Sequence, residues 1–446
     1  MFAVVVLEVL MSTTCAIPQH SEVAMGLGNE GAALYQAGDY AHAETLLKRS
    51  VAVWESSGDT FDDNYASTLN DLGAVYKVTA HYAEAEEVYK RALDIRQHNG
   101  TAKSLENATV LHNLAQLYLD TARYDLAEFN ARQALELRRH APYDRSDSVA
   151  QSLNLLGTIF QATGRISEAE EAYHEALRVY DHASGDADQG KAQTLINLGS
   201  VSRLSGRLLE ADRLLSRAAE LLQNGSSKPL LASALNDLAL AVRGEGNSRR
   251  AEFLIRRSLD IWSSLGGPGR PEYASALSNL ALIYLDRHKP DKARELMQDA
   301  LRIDERLLGP DSPNTAHDLV ILGEALLTVH KEAEAQELFE RALQAQQRRG
   351  GPVTPVDGFA EANLGTIAAR RNDNARAEQL LYNAVQTLSR TTAQDDPRLK
   401  NIYAEYAAVS RKNHHFAQAQ EAEVRAVRIG VRTAIANSVV PATIQQ

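Results

Sequence analysis

The sequence predicts an all-α protein, a solenoid of about ten helical hairpins. Three observations carry this. A small residue recurs at Gly31, Gly73, Ala115, Gly157, Gly199, Ala239, Ala281, Gly323, Gly365 and Ala407, in steps of 42 residues with a single step of 40 between Gly199 and Ala239. Twelve residues after each marker stands an alanine, from Ala43, Ala85 and Ala127 through to Ala419. Seven residues further the chain is again always small, from Ser50 and Ala92 to Ala426. A fixed period of this size marks stacked supersecondary units.

The unit at Leu69 to Arg96, "LNDLGAVYKVTAHYAEAEEVYKRALDIR", shows why each is a hairpin. Leu69, Leu72, Gly73 and Tyr76 follow i, i+3, i+4, i+7, one face of a first helix, and Ala85, Tyr89, Ala92 and Leu93 make a second such face. The link "VTAHY" is short, and its counterparts "QAGDY" and "QATGRI" carry a turn-making glycine. Between units, glycine and proline gather at 265–271, 308–313, 349–355 and 391–397, as helix stops followed by restarts.

The small residues have a physical cause. Helix axes approach to about 8–10 Å only where the crossing residue is small. The spacing predicts that Gly73 crosses Ala85 within its hairpin, that Gly157 crosses Ala169, and that Ala92 meets the next hairpin. Tyr76, Tyr118, Phe160, Tyr284, Tyr89 and Tyr173 fall on core phases, and Trp54 and Trp262 on a late phase that pads the joint between units. The stretch "GLGNEG" at Gly26 to Gly31 fits G-x-G-x-x-G, but Gly31 is one phase of the repeat and no strand runs into it, so no nucleotide site is expected.

L-x-x-L-G-x-x-Y, an A-E pair and R-A-L together resemble the tetratricopeptide repeat, and the 42-residue step, with "LLGPDSPNTAHDL" and "YASALSNLALIYLD", resembles its longer kinesin-light-chain type. The resemblance covers about Met25 to Gly430. It implies a right-handed superhelix whose first helices line a concave groove.

The ends differ from the middle. Residues 1–24 read as a leader or N-terminal cap, 25–430 as the array and 431–446 as a tail, with a change of pitch expected at the shortened connector 223–229. Glu30 and Glu423 replace apolar residues on stacking phases at the two ends, as capping repeats require, and Glu361 does so in the ninth unit.

With Gly73 set as position 8 of its helix, positions 4, 7, 8 and 11 form the core face and positions 2, 5, 6, 9 and 13 the opposite one. There stand Asn70, Asn154 and Asn236 at position 5, Asn113, Asn197, Asn279 and Asn363 at position 6, and Gln116 at position 9, with Lys77, Gln161, Arg203 and Arg243 flanking at position 12. Asparagine is a mediocre helix former, so propensity does not explain it. Its amide pairs with a peptide backbone whatever the sequence, and Lys or Arg beside it suits a carboxylate. By the resemblance these residues line a peptide-binding groove. The alternative is that the amides satisfy neighbouring helices within the array.

A formal charge of −11 with no Lys/Arg block argues against nucleic acid as the partner. Cys15 is the one cysteine, so neither an internal disulfide nor a thiolate metal cage is expected. His414 and His415 are adjacent, point about 100° apart on a helix, and make poor co-ligands. No stretch reaches about 18 apolar residues, so no membrane span is expected in the mature chain. "MFAVVVLEVLM" followed by "STTCA" suits an export signal cut near Ala16, but Glu8 interrupts it and no Lys or Arg precedes Lys48, so exported and cytoplasmic locations both stay open. No nucleophile–base constellation or cofactor motif is placed by the sequence, so an enzyme is not expected. The expected role is a scaffold that holds an acidic peptide or protein in the groove; the alternative is a regulatory sensor in which a peptide or small ligand alters the pitch and so controls a partner.

Overall fold

A computed structural model describes residues 17–141, 146–182, 187–223, 225, 227–350, 353–392, 396 and 398–438. Among these the chain is helical with no strand, and it forms two compact units, 1–183 and 184–446. The expected cut near Ala16, and Cys15 with it, lie outside the described residues.

The first unit holds four hairpins: α1 (Ile17–Gln36) with α2 (Tyr40–Ser57), α3 (Asp63–Val78) with α4 (Tyr82–His98), α5 (Leu105–Asp120) with α6 (Tyr124–Arg139), and α7 (Ser146–Ala162) with α8 (Ile166–Asp181). The second unit holds six: α9 (Asp188–Leu204) with α10 (Leu208–Leu222), α11 (Lys228–Gly244) with α12 (Ser248–Ser264), α13 (Pro271–Asp286) with α14 (Pro290–Leu308), α15 (Pro313–Thr328) with α16 (Glu332–Arg349), α17 (Pro355–Arg370) with α18 (Asn374–Thr391), and α19 (Leu399–Lys412) with α20 (Phe416–Ser438). Gly26, Gly28 and Gly31 all lie inside α1, with no loop to cradle a phosphate. A Cβ on Gly28 would stand 3.2 Å from Thr68 Oγ1 of the next hairpin, so this glycine serves packing.

Each hairpin turn is built alike. The seventh residue after every marker has positive φ: Gly38, Ala80, Ala122, Gly164, Gly206, Gly246, His288, His330, Asn372 and His414. Around Ala80, the amide of His81 donates to the Tyr76 carbonyl at 2.8 Å and that of Ala80 to Lys77 at 3.2 Å, the paired closure of a left-handed helix stop. The next residue caps the second helix, and its carbonyl accepts from the amide of the recurring alanine, as His81 does from Ala85 at 3.0 Å.

A large side chain also fills the crossing. A Cβ on Gly73 would meet the Tyr89 ring at 2.6 Å, and one on Gly157 the Tyr173 ring at 2.5 Å; Gly31, Gly199, Gly323 and Gly365 face Leu47, Leu215, Phe339 and Leu381 in the same way. The glycine therefore makes room for a large side chain one turn beyond the recurring alanine, and at Gly31 the Ala43 carbonyl is also close, at 3.4 Å. Where the marker is Ala115, Ala239 or Ala281, the same register holds Ala131, Ile255 or Met297. The alanines at Ala43, Ala85 and Ala169 are fully buried.

Tyr118, Phe160, Tyr284, Tyr89 and Tyr173 are buried as core residues, and Tyr76 half-buried. Trp54 packs against Tyr65 of the next hairpin with ring centroids 6.2 Å apart, so it fills the joint. Ser50 also reaches its own first helix, donating to the Ala24 carbonyl at 2.6 Å. At the chain's end Glu423 pairs with Arg411 at 2.7 Å, yet α20 also exposes Val424, Val427 and Val431.

Candidate functional site

The first helices place all eleven expected groove residues on one kind of surface, and each is half-buried. Their amides run between hairpins. In the first unit Asn113 Nδ2 donates to Asn70 Oδ1 at 3.0 Å, and Asn70 Nδ2 to Asp71 Oδ1 at 3.3 Å. The second unit repeats the arrangement: Asn279 Nδ2 donates to Asn236 Oδ1 at 2.9 Å, and Asn236 Nδ2 to Asp237 Oδ1 at 3.2 Å. Position 6 of one hairpin thus meets position 5 of the one before. Other positions form similar stitches, as Ser200 Oγ does to Asp237 Oδ2 at 2.8 Å and Asn363 Nδ2 to Glu324 Oε1 at 3.2 Å. A carboxamide has two donor hydrogens and two acceptor lone pairs, so one such bond does not exhaust it.

The flanking cations differ among themselves. Lys77 Nζ donates to Gln116 Oε1 at 2.6 Å. Gln116 Nε2 lies 3.2 Å from His112 Nε2, and His112 Nδ1 lies 3.3 Å from Arg138 Nη1, which also donates to Ser152 Oγ at 2.6 Å. Burial, and then Arg138 and Lys77, push His112 down to about 3, so its ring is neutral. Burial also lowers Lys77. Sequence reasoning missed His112 and Arg138; the signal for Arg138 was a charged residue on the phase that Trp54 and Trp262 occupy. Gln161 Oε1 accepts from Tyr173 Oη at 3.2 Å within one hairpin, and Asn197 Oδ1 accepts from Gln193 Nε2 at 3.0 Å. Asn154 stands half-buried on α7.

Arg243 is already matched: its Nε and Nη2 donate to Asp286 at 2.6 and 3.0 Å. Arg203 is not matched at Nε, which is buried without an acceptor. Burial lowers its pKa, Asp237 and Asp396 oppose that, and Arg398 and Arg243 add to it. Arg398 at the start of the tenth hairpin thus acts through space on Arg203 of the fifth. A cleft of about 540 Å³ opens beside Arg398, and every residue lining it belongs to α11, α13, α15, α17 or α19 or, as Arg398 does, caps one of them.

His414 takes the left-handed turn at φ 64°, and His415 Nδ1 bonds Glu378 Oε1 at 2.8 Å. Both histidines serve local structure. No helix among the described residues is long and apolar enough to cross a membrane.

No curated protein matches the sequence significantly. Among solved structures, a Rap protein complexed with competence and sporulation factor is similar with a TM-score of 0.54 at 14% identity, over 93% of this chain and 99% of that one. BtubC (BKLC) from P. vanneervenii is similar at 20% identity and a TM-score of 0.42, over 55% of this chain and 93% of its own. A putative kinesin light chain with nearly identical repeats from Podospora anserina is similar at 20% identity and a TM-score of 0.40, over 47% and 100%. The tetratricopeptide repeat model matches in overlapping copies from residue 22 to residue 348, well over half the chain. With ten hairpins of a single register and that match, the chain belongs to the tetratricopeptide repeat family.

Proposed function

We propose that the chain is a non-enzymatic scaffold that binds a partner protein or peptide along its first-helix face. The observation that supports this most is the row of half-buried amides and cations on that face in both units, Asn70, Asn113, Gln116 and Lys77 in the first and Asn197, Arg203, Asn236 and Asn279 in the second. Half-burial desolvates a polar group and fixes its direction while leaving it reachable, which suits a few such groups to carry affinity. Lys77 and Arg203 are the cations suited to an acidic residue of the partner, since Arg243 already holds Asp286. The similar Rap protein was solved as a complex with competence and sporulation factor, which supports a ligand-responsive scaffold as the second reading. The test is capture of a partner with the intact chain, followed by affinity measurement on variants of Asn197, Asn236 and Arg203. A partner indifferent to all three and sensitive to the second-helix surface would refute the assignment.

A further inference from the structure

The cleft of the second unit has an uneven charge account. Arg243 is held by Asp286, and Arg398 by Asp396, with Nε–Oδ1 at 3.0 Å and Nη2–Oδ2 at 2.5 Å. Arg398 Cζ also lies over Phe359, 4.7 Å from the ring centroid. His317 also lines the cleft, its side chain about half exposed, and desolvation, then Arg398, lowers it. Two carboxylates remain. Glu324 accepts only a neutral amide, from Asn363 at 3.2 Å, and Glu405 a hydroxyl, from Thr366 at 2.8 Å. Among the described residues neither has an ion-pair partner. Val320, Ile321, Phe359 and Ile402 supply an apolar lining.

Burial raises Glu324, Asn363, Arg243 and Arg398 oppose that without forming an ion pair with it, and a cation brought to it restores what desolvation removed. The two arginines beside it are already neutralised by their aspartates, so they oppose an incoming cation weakly. The volume lies within the roughly 300–1,000 Å³ of cavities that enclose small ligands, too small for a folded domain and sufficient for a short segment. Resting on the reading of the first-helix face as the binding surface, we infer that this cleft takes a short peptide segment of the partner in which a basic side chain, flanked by apolar ones, pairs with Glu324 and Glu405.

The probe is a set of fluorescein-labelled hexapeptides with Lys, Arg, Gln or Glu between a leucine and a phenylalanine, titrated into the full chain by fluorescence polarisation. The lysine and arginine peptides should bind at least tenfold more tightly than the glutamate peptide, a difference of about 1.4 kcal/mol, and the gap should shrink with salt. Glu324→Gln keeps the size of the side chain and an oxygen for Asn363, so helix content should hold while the preference for lysine over glutamine falls severalfold. Equal or tighter binding of the glutamine or glutamate peptide, or no binding by any member, overturns the inference. If the charge preference is missing while a captured partner still depends on Asn197 and Asn236, the groove reading stands and only the cleft assignment falls. A lysine preference without that dependence leaves the cleft and removes the amide row.

Discussion

Asn113 hands a hydrogen bond to Asn70 at 3.0 Å across the joint between the second and third hairpins, and Asn279 hands one to Asn236 at 2.9 Å between the sixth and seventh. The recurring amides therefore hold consecutive first helices in register, as well as facing outward. Asn236→Ala and Asn279→Ala should each lower stability by about 1 kcal/mol, and the double variant should cost less than their sum by about 0.5–1.5 kcal/mol. Urea midpoints of the four proteins check this. Strict additivity would mean that the bond contributes nothing to the fold.

The hairpin turns yield a prediction with two signs. Ala80 sits at φ 61° and Gly164 at φ 74°, at equivalent positions of two hairpins in the first unit. A side chain in the left-handed region is strained by about 1–2 kcal/mol, and glycine is not. Ala80→Gly should raise stability by up to about 1 kcal/mol and Gly164→Ala lower it by a similar amount, read as thermal shifts. A Cβ on Gly164 would meet nothing within 4 Å, so the loss is backbone strain alone.

These two examples show what the sequence made legible. Periodicity alone placed the hairpins, because the crossing tolerates only small residues and that constraint repeats. It did not say which large side chain fills the space beside each glycine: Tyr89 does so over Gly73 and Leu47 over Gly31. Nor did it mark six of the ten left-handed turns, since Ala80, Ala122, His288, His330, Asn372 and His414 stand where glycine signals the turn elsewhere, and alanine at least has no preference for that region. On the candidate face, the residue types were readable and their partners were not. Asp286 neutralises Arg243 from the next hairpin, and Arg398 acts on Arg203 from five hairpins away, a relationship that no local spacing announces.

Two buried carboxylates make the second unit sensitive to pH. Asp318 on α15 and Asp304 on α14 are almost fully buried, and Ser278 Oγ donates to Asp318 Oδ1 at 2.6 Å. Desolvation raises Asp318 to about 8, with Asp304 adding to it, and raises Asp304 to about 6. Folded-state values above the unfolded value of 3.8 mean that the folded chain keeps protons the unfolded chain has lost. Their contribution to stability is thus complete below about pH 4 and is lost as pH rises toward 8. Asp318→Asn keeps the acceptor for Ser278 and removes the charge. Its urea midpoint should match the parent near pH 4 and exceed it at pH 8 by more than the equivalent of one pKa unit, about 1.4 kcal/mol. His112 in the first unit works in the opposite sense: lowered to about 3, it contributes above its ordinary 6.5 and loses that contribution as pH falls. A variant curve parallel to the parent's from pH 4 to 8 would rule out Asp318 as the titrating group.

The binding face provides the last prediction. Asn197 and Asn236 stand on consecutive first helices of the second unit, and Arg203, whose Nε lacks an acceptor, lies a turn and a half beyond Asn197. If a captured partner runs along this face, its backbone meets the amides and an acidic side chain meets Arg203. Replacing Asn197 and Asn236 together by alanine should weaken the complex by about 1 kcal/mol or more per lost bond, with helix content unchanged. Part of that loss is shared with the Asn236–Asn279 bond, so an Asn279→Ala control separates stability from binding. Arg203→Glu should weaken the complex further, and added salt should weaken the parent complex but affect the Arg203→Glu complex less. Glu337→Lys, on the exposed surface of α16, should leave affinity unchanged. Should Glu337→Lys abolish binding while the double asparagine variant binds as the parent does, the partner uses the second-helix surface. The amides of the first helices would then serve the array alone.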